Sequence, residues 1–370
     1  MRGTETKQSG MFHYFSVEER VPLDHPIREI KKHTETALQV MNRQFDKLYS
    51  VEGRPSVPPE TLLKAQLLMA LYTVRSDRAF CERLDYDLLF RWFLDMNLEQ
   101  ASFDHSTFSK NRERLLSEKL AQKFLHEVVE IARQHDLISD EHFTVDGTLI
   151  EAWASMKSFK RKDGSDDQNT TDDNPGNPTV NFHGEKRSNK THESTTDADA
   201  RLYKKSKGME AKLRYCGSVL MENRNGLVVD AATSSATGKA ERDDSMEMLK
   251  AENCRHKKQD RDPIRTVGGD KNFCTKEYVA DLRQQEILPH IAKKECNTPG
   301  LDKRTTRHKT YAISQVIRKR IEEVFGWSKT IGGLRKVRVR GIAKVAGVAL
   351  LTFAAYDLLR ISKLVGAGGG

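Results

Sequence analysis

The order of apolar, capping and turn residues in this sequence predicts an α/β fold, a mixed sheet flanked by helices and preceded by an all-α N-terminal domain. Three observations carry that expectation. Residues 59–120 repeat apolar positions at helical spacing, with Pro59-Glu60 ahead of Leu62 and Leu63 and Ser76-Asp77 as a cap. Residues 213–221 and 227–232 are strand-like runs joined through Asn225-Gly226, the strongest short hairpin signal. On either side of that hairpin, further strand-like runs end at Asp146 and Asp270.

At 370 residues the chain exceeds one ordinary domain, so at least two folded units are expected. The division read from the sequence is a helical unit over 1–136, an α/β unit over 137–365 and a glycine-rich tail over 366–370. Residues 1–10 are polar and expected to be loose. Residues 103–115 place capping residues ahead of Ser109, Lys110, Asn111, Arg112 and Arg114, the pattern of a recognition helix whose first turns face a DNA groove. An ordinary surface helix has the same pattern. An amphipathic helix over 117–135 follows, then a strand over 142–147 that ends on Asp146. Residues 155–209 are almost wholly polar, with a turn cluster at 174–178, and are expected to form a long insertion outside the core. After the hairpin come a polar helix over 241–251, a strand over 266–269 ending at Asp270, a helix from Thr275, a strand over 287–292 and a helix over 311–329. The order β, β-hairpin, α, β, α, β matches an RNase H-like sheet, with acids at the ends of its first and fourth strands.

Charge is distributed unevenly. The formal net charge is +9, and residues 301–345 alone hold thirteen Lys or Arg against Asp302, Glu322 and Glu323, a local +10. Such a balance suits a polyanionic partner, although a basic run is as often a solvated face. The five cysteines form no CxxC pair and their odd number argues against a disulfide framework, so a reducing cytoplasm is expected. No basic and apolar leader opens the chain, and export is not expected. The apolar run at 345–356 is bracketed by Lys344 and Asp357 and is too short to span a bilayer, so it reads as a buried helix.

Paired divalent ions need oxygen ligands that converge from separate elements, because hard cations sit about 3.5–4 Å apart in two-metal sites. Asp146 and Asp270 each end a predicted strand, and neighbouring strands would bring them to one sheet edge. Either alone is an ordinary turn residue. On a helix turning about 100° per residue, Ile313, Val316, Ile317, Ile321 and Val324 form one apolar face. Arg318, Glu322 and Lys329 fall within roughly 40° of one another on another side, while Glu323 points about 100° further round. Glu322 is therefore the better third ligand, unless it serves only an exposed ion pair with Arg318.

Val145-Asp146-Gly147-Thr148, Gly269-Asp270-Lys271 and Arg318-x3-Glu322-x6-Lys329 together resemble the DDE transposases of bacterial insertion sequences. The resemblance is to the insertion-sequence family five type, with its tyrosine, arginine, glutamate, lysine signature. It extends to residues 54–115, similar to that family's helical DNA-binding domain, and to the stretches 184–189, 197–202 and 340–345. One position departs: Gln315 stands where the tyrosine is expected, with Tyr311 four residues earlier on nearly the same face.

The resemblance implies Asp146, Asp270 and Glu322 as catalytic acids holding two Mg²⁺ or Mn²⁺ ions. It implies hydrolysis at the ends of an element, then attack of the freed 3′-hydroxyl on target DNA. Double-stranded DNA would be the partner, as terminal inverted repeats and target, with no membrane, a homodimer as the working form and a cytoplasmic, nucleoid-associated location. Arg318 and Lys329 would contact phosphates, Trp327 could stack on an unpaired base, and Lys110 and Arg112 would face DNA from the helical domain. Arg335, Lys336, Arg338 and Arg340 alternate with Val337 and Val339 and would present a basic stripe. A metal-dependent nuclease and a non-catalytic DNA-binding descendant are the alternatives.

Overall fold

The computed structural model describes residues 16–48, 52, 56–163, 187–206, 208–294 and 301–368. The turn cluster at 174–178, residues 184–186 and Cys296 lie outside that set. The N-terminal part is helical throughout: α1 (Val17–Arg20), α2 (Ile27–Leu48), α3 (Pro59–Leu71), α4 (Asp77–Tyr86), α5 (Leu88–Phe93), α6 (His105–Leu115) and α7 (Glu118–Gln134). The capping residues do what their chemistry suggests. Side-chain oxygens of Ser76, Asp104 and Ser117 accept from backbone N–H groups of the first turns of α4, α6 and α7. Phe80 stacks on Phe108 and lies close to Phe90, joining α4, α5 and α6 in one apolar cluster.

The α/β part begins with β1 (His142–Glu151), followed by short strands β2 (Phe159–Arg161), β3 (His192–Ser194) and β4 (Arg201–Tyr203). Then come β5 (Lys212–Glu222), β6 (Val228–Ser235), α8 (Ala240–Lys258), β7 (Thr266–Gly269), α9 (Lys276–Gln284) and β8 (Leu288–Ile291). The main sheet runs β4-β5-β1-β7-β8, with β6 also on β5. β5 pairs antiparallel with β1 and β6, whereas β7 pairs parallel with β1 and β8. The expected mixed sheet is thus present, in the expected element order. At the hairpin, the buried Glu222 carboxylate accepts from the N–H groups of Arg224, Asn225 and Leu227, so the turn is organised around one acid.

Four expectations need correction. Asp146 does not end its strand: β1 continues to Glu151 because β5 pairs with it as far as that residue. The polar stretch 155–209 is partly built into the fold. β2 and β3 form a ribbon, Phe159 and Ala200 are buried, and Asp199 accepts from the N–H of Ile342 at 2.9 Å. The helix expected over 311–329 is broken into α11 (Lys309–Ile317), a 3-10 turn at Arg318–Arg320 and α12 (Ile321–Thr330), after the short α10 (Lys303–Thr306). A 3-10 turn advances about 120° per residue rather than 100°, so the two pieces no longer share one apolar face. Ile321 and Val324 are buried, but Ile313 and Val316 are 57% and 70% exposed. Finally, the tail expected from 366 is helical to Gly368, since the last helix α13 (Ile342–Gly368) runs past it.

That helix holds the two parts together. α13 packs on α2, α3 and α7 on one side and on β6 and α12 on the other. It is long and apolar enough to cross a membrane, but 72% of its most apolar window is buried among those elements. A buried ionic network ties α7 to α8 behind the sheet, with Glu252 accepting from Arg133, Arg255 and His256, and Asp230 accepting from Arg255. Cys81, Cys216, Cys254 and Cys274 are free thiols.

Within α13, Asp357 is wholly buried. One carboxylate oxygen accepts from the Val228 N–H at 2.9 Å and the other has no partner. Burial pushes its carboxyl well above the ordinary range. A raised folded-state pKa means that its contribution is fully present below the unfolded value and is lost as pH rises through the folded one, at about 1.4 kcal/mol per unit of displacement. Asp357→Asn keeps the acceptor and stays neutral. It should raise the melting temperature at pH 7 and give no gain near pH 3.5, in melts followed by circular dichroism.

Candidate active site

β1 is the central strand, and its two neighbours cover it unequally. β5 pairs with it from Phe143 to Glu151, while the parallel pairing with β7 covers only His142 to Thr144. Asp146 lies just past the point where β7 turns away, so its side chain stands at a notch in the sheet. Its Oδ1 accepts from the Gly147 N–H at 2.8 Å. Burial first, then the negative charges of Asp270 and Glu241, push its carboxyl up to about 7, against the opposing pull of the Gly147 hydrogen bond and Arg318.

Asp270 follows the last residue of β7 and caps the 3-10 turn at Lys271–Phe273, with its Oδ1 accepting from the Asn272 N–H at 2.7 Å. Parallel neighbours β1 and β7 therefore deliver Asp146, from within β1, and Asp270, from just past β7, to one place. The structure adds an acid that sequence reasoning passed over. Glu241, in the first turn of α8, lies so close to β1 that a Cβ on residue 147 would sit 2.4 Å from its Cγ and 2.6 Å from its Oε1. Glycine is what admits that carboxylate. Burial and the charge of Asp270 raise the Glu241 carboxyl. Arg242 fixes the approach, donating to the carbonyl oxygen of Asn272 at 3.2 Å and tying α8 to the Asp270 turn. A glycine within a strand directly after an acid was the available clue, because glycine weakens a strand and often marks a close approach.

The third predicted acid, Glu322, lies in the first turn of α12. Arg318 lies over β7, its Cβ 3.5 Å from where a Cβ on Gly268 would stand. Its Nε donates to Gln315 Oε1 at 3.0 Å, and Gln315 Nε2 donates to the His290 carbonyl at 2.6 Å. The departure at Gln315 is thus a link from β8 to Arg318. Tyr311 serves the same joint, its hydroxyl donating to the Ile291 carbonyl at 2.9 Å. In α12 both Glu322 and Glu323 are exposed. Lys329, seven residues after Glu322 and so on nearly the same helix face, is close enough to Asp146 to feel its charge. Glu323 instead acts on Tyr356 of α13. Among the described residues no three His, Cys, Asp or Glu side chains converge closely enough to hold a metal ion.

Lys329 in turn stands among other cations. Burial and the charges of Lys205, Arg214 and Arg335 lower the Lys329 pKa. Residues 335–340 are not a strand, apart from one parallel bridge between Lys336 and Glu151, but the alternation holds: Val337 and Val339 are buried, and Arg335, Lys336, Arg338 and Arg340 are exposed. On α6, Lys110 is exposed, whereas Arg112 pairs with Asp77. Trp327 packs edge-on against Tyr356 with ring centroids 5.7 Å apart.

Two family models match the chain. Residues 15–114 match a transposase domain of the DUF772 type, and residues 140–358 match the transposase DDE domain. No curated protein matches the sequence significantly. Solved structures with similarity include a piggyBac transposase synaptic complex with hairpin DNA, at 11% identity and TM-score 0.41, covering 95% of this chain and 78% of that one. A Mos1 transposase paired-end complex has 11% identity and TM-score 0.21, covering 86% and 87%.

The Gly147 contact is testable by stability. Gly147→Ala should destabilise the fold by about 1–3 kcal/mol through overpacking against Glu241. Adding Glu241→Ala should recover most of that loss, read by urea denaturation of the single and double variants.

Proposed function

Because the chain belongs to the transposase DDE domain family and is a DNA transposase, we propose that it cuts and joins DNA at the terminal inverted repeats of an insertion sequence of the family five type. The fold is read as an RNase H-like catalytic sheet behind a helical DNA-binding domain. Asp146, Asp270 and Glu322 are the assigned acids. The observation that carries this reading is the meeting of Asp146 and Asp270 at the notch between β1 and β7, where Asp270 raises the cost of ionising both Asp146 and Glu241.

The donor set fits hard divalent cations, being oxygen alone, with crowded carboxylates whose mutual repulsion a cation would relieve. Gly147 leaves room for Glu241 beside them. Bound Mg²⁺ or Mn²⁺, two ions on this reading, supplies Lewis-acid activation of phosphodiester oxygens. Asp146 and Asp270 would hold these ions from the sheet and Glu322 from α12, with Glu241 adding negative charge alongside.

The remaining residues bind and orient the strand. Arg318, steered by Gln315, and Lys329 flank Glu322 in the chain and would take the phosphates on either side of the scissile bond. Arg335, Lys336, Arg338 and Arg340 would track the backbone further along, and Lys110 would approach a groove from α6. Binding through such contacts weakens steeply with salt. Drawing two ends of an element together calls for two copies of the chain, acting on nucleoid DNA in the bacterial cytoplasm.

Asp270→Asn should abolish Mg²⁺-dependent nicking of an end-containing duplex and leave its binding in EDTA within about twofold, since a surface substitution off the phosphate path costs little. Undiminished nicking by that variant would sink the assignment. Glu322→Gln and Glu323→Gln should separate sharply in the same assay, with the first losing about 100-fold or more and the second near wild type. Equal losses would refute the choice of Glu322.

A further inference from the structure

Three acids open α8, Glu241, Asp243 and Asp244, and their surroundings differ. Asp243 is exposed and serves the helix dipole, as an acid in any first turn does. Asp244 is buried against the sheet, where the hydroxyls of Ser218 on β5 and Ser234 on β6 each donate to its Oδ2 at 2.8 Å. Glu241 lies three residues before Asp244 and so on the same face of the helix. It is half-buried, yet among the described residues its carboxylate accepts no hydrogen bond and enters no ion pair.

Around Glu241 the neighbouring charge is largely negative. Burial, and then the charge of Asp270, raises its carboxyl. After burial and the Gly147 hydrogen bond, the charges that weigh most on Asp146 are those of Asp270, Glu241 and Arg318. Glu322, exposed in the first turn of α12, is not among these. The third acid at the notch is thus Glu241, and the fold holds it there. Asp244 fixes the first turn of α8 to β5 and β6, and Arg242 donates to the Asn272 carbonyl at 3.2 Å, joining that turn to the one capped by Asp270. Gly147 keeps the space open, since a Cβ there would stand 2.4 Å from Glu241 Cγ. A helix start requires none of this, because Asp243 already serves the dipole from water, whereas Glu241 gives up hydration among like charges.

We infer that Glu241 is a further metal-binding acid of the cleavage site, joining Asp146 and Asp270 around a divalent cation that binds without Glu322. The inference rests on the reading of Asp146 and Asp270 as that site, and it makes Glu241 a ligand where a supporting charge alone would need no such approach. Three carboxylates supply the anionic, oxygen-only set that a hard cation takes. Among the described residues no three acids converge on one point. Glu241 has the freedom to close the set, because no partner ties its carboxylate and its side chain can change rotamer about three bonds. Glu322 then serves the second ion from α12.

The test is Mn²⁺ binding by the full-length protein without DNA, read from the electron paramagnetic resonance signal of free Mn²⁺ during titration. Glu241→Gln and Asp270→Asn should each weaken the tightest site by about 10-fold or more, since losing even a group that supports a ligand costs that much. Glu322→Gln should leave it within about twofold, as an exposed substitution does. Gly147→Ala should weaken it too, by displacing the Glu241 side chain. Adding Glu241→Ala to Gly147→Ala should then recover stability in urea and leave Mn²⁺ binding weak, whereas an acid that acts only on the fold would let both recover. The inference is overturned by a wild type that binds no Mn²⁺, by recovery of both properties in the double variant, by an equal loss in Glu322→Gln, or by unchanged binding in Glu241→Gln beside a loss in Asp270→Asn. Should Glu241→Gln fail to fold, the comparison of Gly147→Ala with the double variant decides it. Unchanged binding by Asp270→Asn would instead refute the cleavage-site reading itself, so the two failures give different results.

Discussion

The crowding of carboxylates at the notch beside β1 is the constraint on which the rest of the site depends. Asp146 stands at the one place where the central strand has lost its parallel neighbour, and Asp270 and Glu241 press their charge on it. Such an arrangement is unfavourable in itself, because burial and like charge both oppose ionisation. It persists because each acid is fixed by its own local geometry. Asp270 caps a 3-10 turn, Glu241 is held on α8 by the tie from Arg242 to the Asp270 turn, and Asp146 accepts from its own neighbour's N–H. The scaffold has a matching rigidity. β1 is paired on both sides, and the ionic network around Glu252 anchors α8 to α7. Removing one partner from such a buried network typically costs about 3–5 kcal/mol. That cost resists the displacement by which the acids would relieve their repulsion.

The sheet and its two aspartates were legible because they rest on local chemistry. Asn225-Gly226 specifies a hairpin, and Asp270, directly after a short apolar run, stands where β7 ends; Asp146 follows a similar run but lies within β1, because β5 pairs with that strand as far as Glu151. Glu241 was not legible by the same logic. An acid in the first turn of a helix is favoured by the helix dipole wherever the helix sits, so its presence beside Asp146 is a fact of tertiary packing. The break in the 311–329 helix was equally hidden. Arg318-Lys319-Arg320 contains no glycine or proline, and only the packing of Arg318 over Gly268 and the tie from Gln315 to β8 show the two helical pieces to be held by different neighbours. The exposure of Ile313 and Val316 follows from that break, since an apolar face read across it joins residues that no longer point together.

The polar insertion shows a different limit. Composition set 155–209 apart from the core-forming strands, yet β4 within it joins the main sheet through β5, and Asp197 and Asp199 reach the start of α13. There they accept from the N–H groups of Gly341 and Ile342, and Tyr215 of β5 donates to Asp197. The two acids satisfy donors at a helix start that has no intrahelical acceptor for them. A segment that reads as solvent-facing therefore sets where the longest helix begins. By fixing that end it also fixes the basic residues 335–340 that lead into it.

Those basic residues complete the electrostatic logic. A phosphodiester approaching three carboxylates is repelled by them, so a site of this kind needs compensating positive charge that does not neutralise the acids themselves. The chain separates the two by burying different partners. Val337 and Val339 face inward and turn Arg335, Lys336, Arg338 and Arg340 outward, while Gln315 holds Arg318 at the edge of the notch. Lys329 is the exception, pulled toward Asp146 yet surrounded by Lys205, Arg214 and Arg335, with burial lowering its pKa. An ammonium in that position is stabilised by whichever anion comes nearest. In the protein alone the charge of Asp146 favours that ammonium, against burial and three neighbouring cations.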